Sequence, residues 1–293
     1  MGTRIGVVAG LTVDHLVMVG HEPRFNELGG PGLYATLGAR LVDGVVPVLA
    51  TALPDDDDRF RSTFNRLGVD VSFATSVGTI EKVWILNSPE GRRIVSTAGE
   101  TELGAGDTFA APEPVPAPEF LRGLDGLLRS SPYDGLAADT IVGVDPHQVL
   151  MKREGIAYLR RVLPVGGILL PSRVQLRLLG DDPRTAAARL AAEFDCAVIA
   201  RLDVDGMYVV HRGRAWHVVD DAVRVEETTG AGDASAGAIV AALAIGTDLA
   251  TAALFGASVA RIALSTWGSA GLVSGEPFDH PLDHIHAKQE VVP

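Results

Sequence analysis

Cysteine is almost absent from this sequence of 293 residues, in which Cys196 is the only one. An intramolecular disulfide is therefore excluded, and a reducing compartment fits. Basic residues are also scarce, with 25 Lys and Arg against 37 Asp and Glu and a formal net charge of −12. This balance argues against nucleic acid as a partner, because non-specific binding to it requires clustered Lys and Arg. It also gives no support for an anionic membrane surface.

Long uninterrupted apolar runs are missing as well. The first ten residues lack the apolar length and the cleavage site of a signal peptide. The most apolar region, residues 236–264, is interrupted by Gly246, Asp248 and Arg261, which favours two buried helices over a membrane span. We therefore expect a cytoplasmic protein with no membrane partner. A hydrophobic content of 47% is ordinary for a globular α/β domain of this length.

The most informative stretch reads Glu-Thr-Thr-Gly-Ala-Gly-Asp over residues 227–233 and continues into small apolar residues up to Ala244. A glycine-rich loop that leads into a buried helix can bind an anion, because the first N–H groups of the helix lack intrahelical partners and the dipole adds positive charge. Asp233 stands at the predicted helix start. It is either the N-cap of this helix or a general base beside a bound phosphate.

Two further stretches have the same character. Residues 4–10 form a short apolar run that ends at glycine, and Asp14 follows this predicted strand. Ligands of open parallel sheets lie at the carboxyl ends of the strands, where a carboxylate can bind a polyol or simply cap a turn. Gly29 and Gly30 begin a second glycine-rich loop, which leads into a helix containing Tyr34. Tyr34 could stack on a ligand ring or pack in the core.

Together these stretches resemble the ribokinase-like (PfkB) family of carbohydrate and nucleoside kinases, from about residue 4 to residue 275. The resemblance implies an α/β fold, a ribokinase-like three-layer αβα sandwich with a small β-sheet lid. It implies a single domain over residues 1–293, with the lid formed by roughly 11–25 and 72–100. The alternation of predicted strands and helices independently favours a parallel sheet with helices on both faces.

The resemblance also implies a function, the transfer of the γ-phosphate of ATP to a hydroxyl of a sugar, cyclitol or nucleoside. In this family the Asp of the motif is the general base and the loop is the anion hole, which carries over to Asp233 and to Gly230, Ala231 and Gly232. The residues implied for the acceptor are Asp14, Gly29, Gly30 and Tyr34. The residues implied for the nucleotide are Ser172, Arg201, Gly206, Thr229, Ala257 and Gly268.

Several positions depart from the family pattern. Position 227 is usually Asp and is Glu here, and Pro31 and Tyr34 stand where ribokinases usually have Lys and Asn. The usual Asn-x-x-Glu, which organises Mg²⁺ through bound water, is replaced by Ser172 and Gln175. The resemblance therefore implies ATP and Mg²⁺ as cofactors, with Gln175 and Glu227 as water-mediated metal residues. The loss of a carboxylate removes a group suited to Mg²⁺, although the nucleotide phosphates can carry the ion.

A second copy of the catalytic string occurs at residues 104–109, as Gly-Ala-Gly-Asp-Thr-Phe. Four prolines between residues 112 and 118 exclude the following helix that would make this loop an anion site, so we interpret it as a lid or linker turn. Farther on, the patterns predict helices over 119–128 and 151–162. Residues 83–86 and 93–97 form a predicted hairpin, and the apolar stretch Val83-Trp84-Ile85 on such a projecting lid favours a homodimer.

Three other functions stay open at this point. A degenerate family member would bind nucleotide or sugar without catalysis. The changes at Ser172 and Gln175 favour this function, as does Asp203 in place of the first glycine of the usual Thr-x-Gly-x-x-Gly, and the retained Asp233 opposes it. A kinase for a vitamin-like heterocycle would be consistent with Tyr34. A dinucleotide-dependent oxidoreductase is disfavoured, because no Gly-x-Gly-x-x-Gly follows the first predicted strand.

Overall fold

Sixteen strands organise the chain in the computed structural model, which describes residues 2–88, 91–98, 101–102, 114–180 and 182–292. The second copy of the catalytic string, at residues 104–109, lies outside the described residues. In chain order the strands are β1 (Thr3–Val8), β2 (Thr12–Met18), β3 (Arg24–Gly29), β4 (Val45–Ala50), β5 (Ala52–Pro54), β6 (Thr75–Val77), β7 (Lys82–Ser88), β8 (Gly91–Ala98), β9 (Thr101–Glu102), β10 (Gly126–Arg129), β11 (Ile141–Val144), β12 (Ile168–Leu169), β13 (Ala197–Arg201), β14 (Met207–His211), β15 (Arg214–Asp220) and β16 (Ile285–Glu290).

Nine of these strands form the central sheet, in the order β16-β15-β14-β13-β12-β11-β10-β1-β4. The pairs from β4 to β13 are parallel, and β14, β15 and β16 add antiparallel strands at one edge. Alternate residues of β13 pack into different cores, Ile199 into one and Val198 and Ala200 into the other. Because successive side chains of a strand point to opposite faces, the sheet is covered on both faces. The predicted α/β fold is confirmed.

Ten helices flank this sheet within the described residues. They are α1 (Pro31–Arg40), α2 (Arg59–Arg66), α3 (Pro118–Leu121), α4 (Gln148–Glu154), α5 (Ile156–Val162), α6 (Arg173–Arg177), α7 (Pro183–Phe194), α8 (Ala231–Ala244), α9 (Leu249–Leu264) and α10 (Ala270–Ser274). In the part of the chain that the structure describes, none of them combines the length and the hydropathy needed to cross a membrane.

Helices α1 and α8 pack backbone to backbone through two glycines. A β-carbon on Gly38 would lie 2.0 Å from the carbonyl oxygen of Ala234, and one on Gly237 would lie 1.9 Å from that of Ala35. Only glycine permits such an approach. Since each helix begins at one of the glycine-rich loops, this packing brings the two loops together at the carboxyl ends of the parallel strands.

A second sheet has five strands in the order β3-β2-β7-β8-β9. Its bounds differ from those of the predicted lid, which were roughly 11–25 and 72–100. The first segment extends to Gly29 because it includes β3, and the second begins only at Lys82, where β7 starts. Residues 75–77, which were predicted to belong to the lid, form β6 and pair with β5 in a separate two-stranded sheet. We call the five-stranded sheet the lid sheet.

Two predicted helices are wrong in extent. Residues 119–128 divide into the short helix α3 and the strand β10, because Gly126 to Leu128 pair with β1 in the central sheet. Residues 151–162 are split between α4 and α5 by Gly155, whose φ of +55° interrupts the helix. In both segments the apolar pattern suits a helix, and tertiary pairing or a glycine decides otherwise.

The apolar residues of the predicted lid hairpin are largely covered by the chain itself. Val83 and Ile85 are buried and pack with Leu16 and Trp267, and Trp84 is half-buried against His15. The argument for a dimer from Val83-Trp84-Ile85 is therefore weakened. More exposed apolar side chains of this region are Val19 and Phe25, which are 67% and 52% exposed.

Candidate active site

The loop at residues 230–232 forms the beginning of helix α8. Gly230 occupies the N-cap position with a φ of +74°, and no side chain caps the helix. The first intrahelical bond runs from the N–H of Ala234 to the carbonyl of Gly230, so the N–H groups of residues 231–233 have no partner within the helix. Asp233 is the third residue of α8, and its interpretation as the N-cap is wrong. This arrangement suits an anion.

The guanidinium group of Arg201 stabilises the loop at residues 230–232. Arg201, at the end of β13, donates to the carbonyl of Gly232 at 2.5 Å and to that of Leu170 at 2.6 Å. It also forms an ion pair with Asp145 at 2.7 Å. Three acceptors from separate elements are thereby tied to one planar group, a role that lysine could not fill. Arg201 is 9% exposed, so it adds positive charge beneath the loop.

Asp233 lies where two cavities meet. The larger cavity, of about 770 Å³, extends along the carboxyl ends of the parallel strands, and the smaller one, of about 230 Å³, lies under the lid sheet. Thr12, Pro31, Glu81 and Asp233 line both cavities. Burial, and next the negative charge of Asp145, raise the pKa of Asp233 to about 6, while Arg201 and Arg92 act in the opposite direction. A carboxylate with this pKa is ionised at neutral pH and able to accept a proton.

The residues implied for the acceptor come together at the smaller cavity. Asp14 is 2% exposed, lines this cavity and accepts a hydrogen bond of 2.5 Å from the hydroxyl of Thr12. Burial raises its pKa to about 6. Gly29 makes room for it, because a β-carbon there would lie 1.9 Å from Asp14 Oδ2. Gly30 is the N-cap of α1 with a φ of +92°.

Tyr34 is a core residue with one end at the smaller cavity. Its side chain is 2% exposed, and its ring lies against Gly230, where a β-carbon would approach a ring carbon to 2.1 Å. Of the two interpretations from the sequence, the core one describes the ring. The hydroxyl is buried without a hydrogen-bond partner. Burial raises the pKa of Tyr34, and the charges of Asp14, Glu227 and Asp233 raise it further.

Glu227 organises the backbone that leads into the loop. Its Oε1 accepts hydrogen bonds from the N–H of Thr229 at 2.7 Å and from the Thr229 hydroxyl at 2.6 Å. Asn87 of the lid sheet donates to the same oxygen at 3.2 Å, and the N–H of Gly268 reaches Oε2 at 3.4 Å. Glu227, Thr229 and Gly268 therefore lie together beside the lid sheet, near Tyr34 and apart from Ser172.

Ser172 and Gln175 form a capping box at the start of α6. The N–H of Ser172 donates to Gln175 Oε1 at 2.7 Å, the N–H of Gln175 donates to the Ser172 hydroxyl at 3.3 Å, and the Gln175 amide nitrogen donates to the carbonyl of Pro146. Both ends of the Gln175 amide are thus engaged. Direct coordination of Mg²⁺ by Gln175 would compete with this capping box, and Glu227 Oε1 already accepts hydrogen bonds from three donors. The water-mediated metal roles of both residues stay predictions. Among the described residues, no three His, Cys, Asp or Glu side chains come together as a metal site.

At the other residues implied for the nucleotide, backbone conformation or core packing accounts for the residue type. Gly206 has a φ of +71°, and a β-carbon there would lie 2.1 Å from the carbonyl oxygen of Val218. Asp203, which replaces a family glycine, keeps a glycine-like φ of +51° and pairs with Arg173 at 3.1 Å. Ala257 is buried in the core around α9. Neither cavity is lined by Gly206, Ala257 or Ser172.

Two residues of this site, Glu81 and Arg92, were not predicted from the sequence. Glu81 precedes strand β7 and lines both cavities, and Arg92 of β8 lines the smaller one. The pKa of Glu81 is raised to about 7 by burial and by the charge of Asp14. No motif marks either residue, because their position depends on the pairing of β2 with β7 and of β7 with β8. Asp145, which follows β11, is the ion-pair partner of Arg201.

Comparisons with known proteins bear on the fold and the family of this chain. Residues 151–274 match the model of the pfkB family of carbohydrate kinases. A ribokinase from Cryptococcus neoformans in complex with ADP has a similar structure, with a TM-score of 0.66, 18% identity and coverage of 94% of this chain and 97% of that one. A nucleoside kinase from Burkholderia thailandensis in complex with inosine gives a TM-score of 0.69, with 14% identity and 94% coverage of each chain.

A ribokinase from Thermotoga maritima gives a TM-score of 0.64, with 19% identity and coverage of 95% and 97%. A search of curated proteins finds no match. At these identities the solved structures establish the fold, and the family model adds sequence similarity over α4 to α10. The resemblance seen in the sequence is therefore confirmed: the chain has the ribokinase fold and is similar to the pfkB family of carbohydrate kinases.

Proposed function

We propose that this protein is a cytoplasmic phosphotransferase that moves the γ-phosphate of ATP to a hydroxyl group of a sugar, cyclitol or nucleoside. The observation that carries the proposal is the position of Asp233. This carboxylate is the third residue of a helix whose beginning suits an anion, and it lines both cavities. Phosphate transfer to an alcohol requires a base located between an anion loop and a cavity that can hold the acceptor.

In the proposed reaction the acceptor hydroxyl gives its proton to Asp233 as its oxygen attacks the γ-phosphorus. The bond between that phosphorus and the bridging oxygen of ADP breaks, and ADP leaves with the electron pair. The N–H groups of Ala231 and Gly232 and the dipole of α8 stabilise the transferring phosphoryl group. Arg201 keeps the loop in this shape through its bond to Gly232. No step is assigned to a protein-bound metal.

The test is phosphate transfer from ATP, with Mg²⁺ supplied in solution, across a panel of sugars, cyclitols and nucleosides. Asp233→Asn is compared with the wild type and with Asp248→Asn, which changes the N-cap carboxylate of α9 away from both cavities. We expect at least one acceptor to be phosphorylated. Loss of the base should lower kcat by on the order of 10²- to 10⁴-fold in Asp233→Asn and leave Asp248→Asn unchanged.

A second candidate is a protein that binds nucleotide or acceptor without catalysis. It is favoured by the capping box that engages Gln175 and by the pairs that Arg173 makes with Asp203 and Asp205. Calorimetric titration with ADP separates the two functions. ADP binding with no transfer to any acceptor, and equal behaviour of the wild type and Asp233→Asn, would support the binding protein.

The lid sheet supports one further element of the proposal, a homodimer formed through the exposed side of β2 and β3. Val19 and Phe25 are the large apolar residues exposed there. Sedimentation analysis of the wild type and of Phe25→Ser tests it, because the variant should shift the equilibrium toward the monomer. A monomeric wild type at micromolar concentration would rule this element out without affecting the proposed reaction.

A further inference from the structure

The smaller cavity carries an excess of negative charge. Its ionisable acids are Asp14, Glu81 and Asp233, and among its described lining residues Arg92 is the only cation. Arg92 is an exposed residue at the start of β8. In the proposed reaction Asp233 must stay free to accept a proton. The carboxylates available to a ligand are therefore Glu81 and Asp14, although Asp14 already accepts a hydrogen bond from Thr12 and is close enough for the charge of Arg92 to lower its pKa.

These two carboxylates lie on neighbouring chain segments. The N–H of Val13 donates to the carbonyl of Glu81 at 2.9 Å, and β2 then runs parallel to β7, with Asp14 paired to Val83. The negative charge of Asp14 raises the pKa of Glu81. When both carboxylates are ionised they repel each other, and a positive charge placed between them relieves the repulsion.

Two buried polar atoms at the cavity lack partners. Glu81 Oε1 has no hydrogen-bond partner, and neither has the hydroxyl of Tyr34, a side chain that is 98% buried, with 2% exposed. Both residues line the smaller cavity. Glu227, in contrast, has its carboxylate engaged by Thr229 and Asn87. Buried polar groups are nearly always satisfied, so the unpartnered atoms mark positions where a bound molecule donates or accepts hydrogen bonds.

We propose that the acceptor carries a protonated amino group, as in an amino sugar or an aminocyclitol, and that Glu81 and Asp14 bind this ammonium while Tyr34 contacts a neighbouring polar atom. The inference rests on the proposed function only for the location of the reacting hydroxyl. A neutral polyol could satisfy the hydrogen bonds but would bring no positive charge to the two acidic side chains. An ammonium group supplies three hydrogen-bond donors and one positive charge. It would therefore provide both the hydrogen bonds and the positive charge that this cavity lacks.

The experiment uses matched pairs of acceptors, namely 2-amino-2-deoxyglucose with glucose, 2-amino-2-deoxygalactose with galactose, and an aminated scyllo-inositol with scyllo-inositol. Binding is measured by calorimetry without nucleotide, and kcat/KM with ATP is measured separately. Glu81→Gln removes the charge and keeps the shape, and Glu81→Asp keeps the charge. Glu119→Gln, which changes an exposed glutamate of α3, is the matched control. Thermal unfolding establishes that each variant is folded.

We expect the amine of at least one pair to bind at least about tenfold more tightly than its hydroxyl partner. Truncating one partner of a buried charge pair weakens binding strongly, so Glu81→Gln should abolish the preference, whereas Glu81→Asp and Glu119→Gln keep it. An amine that binds with this dependence but is never phosphorylated would support the inference and contradict the kinase. Turnover of a neutral acceptor with no preference for the amine would overturn the inference and leave the kinase intact. A preference that survives in Glu81→Gln, or no binding of any amine, would also overturn it.

Discussion

The ring of Tyr34 is in direct contact with Gly230, so that a β-carbon on this glycine would lie 2.1 Å from a ring carbon. Tyr34 belongs to α1, which begins at one glycine-rich loop, and Gly230 is the N-cap of α8, which begins at the other. The contact fixes the distance between the two loops. A change at either residue should therefore reach both the anion loop and the acceptor cavity.

Replacing Gly230 by Ala tests this contact. The left-handed φ of +74° costs a non-glycine residue about 1–2 kcal/mol, and overpacking against Tyr34 adds about 1–3 kcal/mol. Gly246→Ala is the matched control, because Gly246 has a φ of +94° but open space around its α-carbon. Chemical denaturation should show a larger loss of unfolding free energy for Gly230→Ala. Equal losses would mean that strain alone, and not the contact, distinguishes this position.

Asp233 should titrate near pH 6. Its folded pKa is raised from 3.8 to about 6, mainly by burial, so the folded protein holds this proton at a pH where the unfolded chain has released it. The contribution of Asp233 to stability therefore falls as pH rises from about 4 to about 6, and Asp233→Asn should be more stable than the wild type above pH 7.

Carbon-13 NMR of labelled aspartate carboxyl groups measures this titration directly. One resonance should be absent from Asp233→Asn and should titrate near pH 6 in the wild type. Because the base acts only when ionised, kcat should also rise as pH increases through this value. A midpoint near pH 4 for the missing resonance would contradict the assignment.

Removing Arg201 from its ion pair with Asp145 should be strongly destabilising. The two side chains are 10% and 20% exposed, and Arg201→Met would leave Asp145 and two carbonyl groups without their donor. Breaking a buried pair on one side costs about 3–5 kcal/mol. Adding Asp145→Asn should restore part of that loss. In the more exposed pair of Arg184 with Glu290, Arg184→Met should cost at most about 1 kcal/mol; a similar cost at both sites would argue against the structural role of Arg201.

Asp203→Gly should be neutral or slightly stabilising. Asp203 has a φ of +51°, which glycine adopts without strain, and its pair with Arg173 involves a carboxylate that is 64% exposed. Glycine removes the backbone strain at this position, and that gain should offset the loss of the ion pair with Arg173. The free energy of unfolding should therefore change by less than about 1 kcal/mol. Asp203→Ala should be less stable than Asp203→Gly by about 1–2 kcal/mol. Thermal unfolding measures both, and a strongly destabilised glycine variant would show that the pair dominates.

Gln175→Glu restores the carboxylate of the family pattern but should destabilise the protein. The amide nitrogen of Gln175 donates to the carbonyl of Pro146 at a site that is 8% exposed, and a carboxylate would place an acceptor against an acceptor. We expect a loss of about 1–3 kcal/mol at pH 8. The loss should shrink at pH 5, where the protonated acid can donate. Gln289→Glu, at an exposed position of β16, should show neither effect.

The local features of this fold could be predicted from the sequence. An apolar run ending at glycine predicted β1, and the small-residue run after Gly232 predicted α8. These features depend on a few consecutive residues, whose backbone preferences and burial pattern are written in the sequence itself. The family resemblance rested on the same short stretches, and for this reason the predicted α/β class and its sheet agree with the structure.

Features that depend on distant partners could not be predicted. Residues 126–128 have a pattern that suits a helix, and only their pairing with β1 makes them a strand. Arg201 gains its role from the carbonyl of Gly232 and the carboxylate of Asp145, which come from two other elements. The sequence around Arg201 does not indicate which acceptors the fold places next to its guanidinium group.

The sequence by itself determined the alternation of strands and helices, the two glycine-rich loops, and the presence of Asp233 at the beginning of a buried helix. The tertiary structure decided that the two loops meet, that Asp233 lies between two cavities, and that Glu81 lies beside Asp14. The physical reason is that local backbone preferences act over a few residues, whereas the distance between two carboxylates is set by strand pairing and by the glycine contacts between α1 and α8. The electrostatics of the acceptor cavity therefore belong to the fold as a whole.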